Sequence, residues 1–245
     1  MTYQQGASAV WFGKGQHHDA QTLQAWRDAP LTYFPDQDLD HHWNVDRYEV
    51  ILGHDESGEL FQHAAYLTLN NRFYPSEIMS TVSDYALEGR LVQCGDRVLQ
   101  RIRVLQWRGL PILELLTLNE ITEVIEEPRK VGFTYTTTHA HSEVGEWSPA
   151  VTWQENGNVV LTIEVVSRLR PGASRVAQDF ARQLQIRAHK VSIQNFIDQL
   201  SGSPTRASQS AKPGMGDLVP ALLATLAFGL FLKAIRSHGQ KKPAR

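Results

Sequence analysis

The stretch Gly132–Val166, GFTYTTTHAHSEVGEWSPAVTWQENGNVVLTIEVV, decides how the rest of the chain is read. It opens as a strand, passes a turn bearing His139, His141, Glu143 and Glu146, and ends in a hairpin around Asn156-Gly157. Asn-Gly suits a two-residue type I′ turn, whose central residues both need positive φ. Such a turn predicts strands over Ser148–Glu155 and Asn158–Ser167, with Trp153 facing Val160, Thr152 facing Leu161 and Ala150 facing Ile163. One face then sets Val159, Leu161, Ile163 and Val165 against the smaller Thr152 and Ala150. Large against small reads either as ordinary core packing, since interiors are normally filled, or as the wall of a cavity.

Working upstream, alternation predicts strands over Arg97–Gln106, Leu113–Glu126 and Val131–His139, separated by the breakers Arg108-Gly109-Leu110-Pro111 and Glu127-Pro128-Arg129. Asp46–Gly53, DRYEVILG, reads as a strand with Tyr48, Val50 and Leu52 on one face. Glu59–Asn70 follows as a helix, its apolar residues Leu60, Phe61, Ala64, Ala65 and Leu67 at helical spacing and His63 on its surface. Pro75-Ser76 predicts the start of a short second helix capped by Ser76, although Thr81-Val82 weakens it. Downstream of Pro171-Gly172, Ser174–Leu200 reads as a helix roughly 40 Å long, enough to cross a whole sheet. Val176, Phe180, Leu184, Val191, Phe196, Ile197 and Leu200 mark its apolar side. Arg175, Arg182, Arg187 and Lys190 form a solvated face or one suited to anionic lipid headgroups.

The composition fits this α+β reading. The chain has 245 residues, of which 42% are hydrophobic and 20% charged, so wholesale disorder is excluded. A net charge of −2 supplies no basic field for nucleic acid. Cys94 is the only cysteine, which rules out an intramolecular disulfide and thiol-based zinc sites. Residues 1–44 are polar, an N-terminal extension with one short helix, Ala20–Asp28, stopped before Pro30, and without a secretory signal. The adjacent pairs His17-His18 and His41-His42 point in different directions on any regular backbone and make poor chelates.

Beyond the domain expected at residues 45–200, residues 201–217 have the composition of a flexible linker. Leu218–Leu232 then carries no charge, and the apolar run reaches Ile235 if Lys233 snorkels. Its helix would be roughly 27 Å long, close to a bilayer core of about 30 Å, so residues 218–235 are expected to be a single membrane anchor rather than a core helix. Residues 236–245 form a basic tail. The positive-inside rule would place that tail in the cytoplasm. The missing signal argues instead for a cytoplasmic folded domain. Ala221, Thr225 and Gly229 make a small-residue stripe through which two anchors would pack as a homodimer.

His139, His141, Glu143 and Glu146 are the candidate chemical constellation. If the strand persists past Thr137, His139 and His141 share a face with Phe133 and Tyr135. Two histidines at that spacing beside a carboxylate suit a divalent metal, a His–Glu pair suits a general base, and a plain solvated turn also attracts such residues. No G-x-S-x-G nucleophile, phosphate-cradling glycine loop or dinucleotide fingerprint is present, so no cofactor is expected.

Several of these residues together resemble a known family. Asp46-Arg47-Tyr48 with Gly53, Val124-Ile125, Glu127-Pro128-Arg129, Gly132-Phe133-Thr134-Tyr135, His141, Glu143, Gly145-Glu146 and Ser167-Arg168 carry the resemblance. The family is the domain-of-unknown-function family numbered nineteen-ninety, and the likeness covers roughly residues 31–198. Ala140, Trp147 and Leu169 depart from its pattern, where it has glycine, glutamate and proline. The family implies no activity.

The order of strand, helix, antiparallel strands and long C-terminal helix is similar to a helix-grip fold of the START and pollen-allergen type. It implies a curved sheet of about six strands around a long helix, with a cavity between them. Tyr48, Phe133, Tyr135, Ala150, Thr152, Leu161 and Ile163 are its expected lining. Three functions fit: a membrane-tethered binder of a lipid or other apolar molecule, a hydrolase- or cyclase-type enzyme using His141 with Glu143 or Glu146, and an interaction scaffold.

Overall fold

Alternating side chains from Arg97 onward produce a run of strands, each antiparallel to the next, which organises the whole domain. The computed structural model describes residues 9–12, 18–36, 43–107, 110–170 and 175–202. In chain order the elements are β1 (Ala9–Phe12), α1 (Asp19–Trp26), β2 (Asn44–His54), α2 (Glu59–Leu69), β3 (Met79–Ser83) and α3 (Asp84–Glu88). Then follow β4 (Arg97–Trp107), β5 (Leu110–Glu127), β6 (Lys130–Thr137), β7 (Glu143–Trp153), β8 (Asn158–Leu169) and α4 (Arg175–Leu200).

Seven strands form a curved antiparallel sheet in the order β2-β8-β7-β6-β5-β4-β3, and β1 pairs with β5 off that path. The domain's early strand β2 thus lies beside its last strand β8, while α2 carries the chain to the opposite edge, where β3 pairs with β4. Register shifts in β2 (Ile51/Gly53), β4 and β5 (Ile121/Glu123) mark bulges. Bulges bend strands and increase their twist, which curves the sheet.

The concave face holds the main core. Phe61, Ala64 and Leu67 of α2 and Phe196 of α4 pack with Phe73 onto Phe133, Trp147, Val151, Leu161 and Ile163. Phe73 stacks on Phe196 at 4.9 Å and meets Trp147 edge-on at 5.0 Å. On the convex face Leu23, Trp26 and Ala29 cover Leu99, Leu116 and Leu118.

Four expectations need correction. The sheet has eight strands rather than about six, because β1 and β3 join it. The segment after Pro75 does not become a helix capped by Ser76. Ile78 and Met79 close turns onto the Pro75 carbonyl, β3 follows, and the short helix starts later under a Ser83 cap that accepts from the Ala86 N–H at 3.3 Å. The β7–β8 hairpin is also one residue out of the expected register. Trp153 pairs with Val159, Thr152 with Val160 and Ala150 with Thr162.

The reason is the turn. Gly157 N–H donates to the Gln154 carbonyl at 3.0 Å and Gln154 N–H to the Asn158 carbonyl at 2.8 Å, leaving three residues in the loop. Only Gly157 takes positive φ, at 85°. This is the three-residue hairpin with a left-handed closing residue, not the two-residue type I′ turn. A one-residue slip moves side chains to the other face. Val151 is therefore the buried partner of Leu161, while Ala150 and Thr152 sit half-buried on the convex side.

Fourth, the buried side of α4 is more polar than the apolar pattern predicts. His189, Ser192, Asn195, Phe196 and Asp198 are buried, whereas Leu184, Val191 and Ile197 are only partly so. The side chains of Val176 and Phe180, the pair His41-His42, His17, and the linker, anchor and tail all lie outside the described residues. Among the described residues no helix is long and apolar enough to cross a membrane.

Candidate ligand cavity between the sheet and the C-terminal helix

The bent sheet and the N-terminal half of α4 do not meet along their full length. A cavity of roughly 170 Å³ is left between them. Ile102, Val104 and Leu115 from β4 and β5 and Leu184 and Ala188 from α4 make apolar walls. Tyr74, Tyr135 and Trp147 form an aromatic end, with Tyr135 stacked on Trp147 at 5.0 Å and Tyr74 tilted against it at 6.2 Å. A second, polar space of about 380 Å³ adjoins it, with Asn44, Arg168, Arg182 and Gln185 around it. Glu143 and Ser167 border both spaces.

The His/Glu turn is tied down from several sides. β6 ends at Thr137, so the strand does not persist to His139 as expected. The His141 N–H closes a turn onto the Thr138 carbonyl at 3.0 Å. Arg170 then clamps the loop, donating to the His141 carbonyl at 2.8 Å and the Thr138 carbonyl at 3.0 Å. Because the backbone turns here, His139 and His141 diverge. His141 reaches the cavity wall; His139 does not, and its Nδ1 is buried without a partner.

His141 Nδ1 accepts the backbone N–H of Glu143 at 2.9 Å, so its other ring nitrogen carries the proton. Burial, then the neighbouring Arg170 charge, pushes its pKa down to about 3. It is a neutral capping group at neutral pH, not a base paired with a glutamate side chain. Burial and Arg170 also lower His139.

Glu143 shares the concave face of β7 with Trp147. Burial pushes its carboxyl up to about 7, against the opposing pull of the Arg182 charge. Glu146 also borders the cavity, but alternation turns its carboxyl to the convex side. Burial, with Glu123 and Glu164 nearby, raises it. The remaining expected lining divides in two. Tyr135 is on the cavity wall, whereas Phe133, Leu161 and Ile163 belong to the packed core and Tyr48 lies against His189 at 5.5 Å.

Residues that the sequence did not place at the cavity complete the site, Arg182 among them, which pairs with Asp46 rather than standing on a solvated or lipid-facing side. His189 on α4 lies within 3.3 Å of the Tyr74 hydroxyl through Nδ1, and burial lowers it to about 4. Arg182 ion-pairs with both carboxylate oxygens of Asp46 and donates to Gln185 Oε1 at 2.9 Å. Gln185 in turn donates to Ser167 Oγ at 2.9 Å. Three buried atoms around the cavity, Gln100 Nε2, Trp147 Nε1 and His189 Nε2, have no hydrogen-bond partner among the described residues. Asp46 and Tyr48 had a sequence signal, the DRY strand. His189, Tyr74 and Gln100 had none, because nothing local distinguishes them from surface polar residues. Among the described residues no three His, Cys, Asp or Glu side chains converge as a metal site.

An antiparallel sheet, eight-stranded among the described residues, gripping a long C-terminal helix, with a cavity between the two, defines a helix-grip domain. The chain belongs to the family described as Domain of unknown function (DUF1990), whose profile matches residues 29–195. No curated protein is similar enough to count as a relative. Similar solved structures include a hypothetical protein from Helicobacter pylori, 10% identical, with a TM-score of 0.47, covering 68% of this chain and 94% of its own. A START superfamily protein from Mycobacterium smegmatis is 10% identical, with a TM-score of 0.39, covering 65% of this chain and 99% of its own. A major latex-like protein from Panax ginseng is 14% identical, with a TM-score of 0.38 and coverage of 62% and 95%. The chemistry of the site has to come from this chain's own residues.

Proposed function

We propose that the domain binds a small, largely apolar molecule in the cavity between the sheet and α4. The supporting observation is the cavity itself: interiors are normally filled, and this one keeps apolar walls, an aromatic end and a polar space beside it. A dry cavity of about 150 Å³ takes one benzene ring. The apolar space here therefore suits a single ring or one end of a longer molecule, with any polar group toward the adjoining polar space, which Glu143 borders. The test is organic extraction of the purified full chain followed by mass spectrometry. A stoichiometric compound is expected, and Ala188→Trp, which fills the space, should lose it. A folded protein that carries nothing and takes up no fluorescent apolar dye would sink the proposal.

We also propose, from the apolar run of the sequence, that the domain is tethered to a membrane through Leu218–Ile235 with the folded part in the cytoplasm. Alkaline carbonate extraction of cell membranes tests the tether: the chain should stay in the pellet, and release into the supernatant would count against it. Glu143 favours a second reading, proton transfer on the bound molecule, because a carboxyl poised near 7 exchanges protons readily at neutral pH. In that reading Glu143 acts without His141, whose Nδ1 is already taken.

A further inference from the structure

Glu143 is the group the binding proposal leaves unexplained. Its backbone N–H is used by His141, but its carboxyl has no hydrogen-bond or ion-pair partner among the described residues. The side chain is half-buried, and burial disfavours its charged form unless a cation offsets it. Arg182 acts on it through its charge alone, and among the described residues no cation of the surrounding elements contacts it. On α4, Arg182 is held by Asp46 of β2 and by Gln185, and His189 is neutral. On β8, Arg168 lies over the Trp43 ring at 4.8 Å. His141, on the preceding turn, is neutral.

What faces Glu143 instead is aromatic. Its charge raises both the Tyr74 and Tyr135 phenols, after burial, so the carboxyl and these rings converge on one space with Trp147. Aromatic faces are negative and attract an ammonium group. A carboxylate at the edge of an aromatic cage suits a small cation.

We propose that the ligand of this cavity is a small apolar amine, its protonated nitrogen paired with the Glu143 carboxylate and its hydrocarbon part among Tyr135, Trp147 and Leu184. The inference rests on the cavity-binding reading above. A neutral ligand with a carbonyl or hydroxyl acceptor would instead engage protonated Glu143, and the two cases have opposite pH dependence. An amine pulls the Glu143 pKa down and binds best when the carboxyl is ionised. An acceptor holds the proton on and binds best when it is not.

The test is isothermal titration of the full chain with benzylamine and with benzyl alcohol, which differ chiefly in charge. At about pH 8 benzylamine should bind on the order of tenfold more tightly. Between about pH 8 and about pH 6 its affinity should fall about tenfold, as the ionised fraction of Glu143 drops from about nine-tenths to about one-tenth. Benzyl alcohol should not follow that fall. Glu143→Gln should erase both the preference and the pH dependence while still binding the alcohol. The wild-type pH profile decides the matter even if that variant fails to fold. Equal or tighter alcohol binding, or an amine preference that survives Glu143→Gln, overturns the amine and leaves the cavity reading intact. Binding of neither compound overturns both.

Discussion

At the scale of single residues, Glu143 and the two buried histidines respond to pH in opposite senses. Burial lifts Glu143 from its ordinary 4.5 to about 7, so folding takes up a proton between those values. Its contribution to stability is lost as pH rises through that window, a penalty on the order of 3 kcal/mol at most. Glu143→Gln should therefore raise the urea midpoint at about pH 8 and leave it nearly unchanged at about pH 4. His141 and His189 are held neutral, at about 3 and about 4 against an ordinary 6.5. Their contribution is present above 6.5 and lost as pH falls toward those lower values. His189→Leu should flatten the acid side of the stability profile. Urea titrations at stepped pH check both variants, and an unchanged profile would contradict the assigned burial.

At the scale of elements, α4 is held at two places of different chemistry. Its C-terminal half is fastened by Phe196 on Phe73 and by Asn195 Nδ2, which donates to the Phe73 carbonyl at 2.9 Å. Its N-terminal half, along the cavity, is held by the Arg182–Asp46 pair and by Gln185 on Ser167. Burial is deeper in the first half, so the two should come apart differently. Phe196→Ala should cost about 3–5 kcal/mol in equilibrium unfolding. Arg182→Gln should cost only about 1 kcal/mol, because the pair is partly exposed and screened by solvent. In hydrogen exchange it should raise the rates at residues 178–188 far more than at 190–200. Uniform protection along α4 in that variant would count against the division. Within β7, Gly145 has φ 146°, and a Cβ there would run into the Val166 carbonyl of β8. Gly145→Ala should break the pairing that sets Glu143 on the concave face, and loss of benzylamine binding together with altered β7–β8 amide shifts would report it.

At the scale of the whole molecule, the N-terminal segment is stitched onto the domain. α1 covers Leu99, Leu116 and Leu118, and Leu31 bridges to Thr138. Arg101, only 4% exposed at its side chain, pairs with Asp19 of α1 and, at 3.1 Å, with Glu114, itself 2% exposed. Arg101→Met takes from Glu114 its 3.1 Å partner, while the Arg103 contact is longer, at 3.5 Å. It should cost about 3–5 kcal/mol, the range for breaking a buried ion pair by removing one partner. A thermal melt measures that loss. A shift no larger than that of a surface variant would show that the convex layer contributes little.

How much of this was legible follows from the range of the forces involved. Strand alternation in Asp46–Gly53 and Val131–Thr137, the helical spacing of Glu59–Leu69 and the turn at Gly157 depend on neighbours a few residues away, and each was readable in the chain. Together they specified the element order, and hence a helix-grip sheet, before any packing was known. Other features turn on choices the local pattern leaves open or on partners more than a hundred residues distant. The hairpin register turned on whether two or three residues closed the loop, a backbone choice that Asn156-Gly157 permits either way. The face of Ala150 and Thr152 changed with it. The inward polar side of α4 was hidden because His189, Ser192 and Asn195 become interior only when Tyr74 and the Phe73 carbonyl are folded against that helix. The sequence by itself determined which residues alternate, coil and turn, since those are local steric and hydrogen-bonding preferences. Only the tertiary structure decided that Glu143 stands beside Tyr74, Tyr135 and Trp147 without a hydrogen-bond partner among the described residues, because desolvation and the pairing of charge are set by what the whole fold brings together.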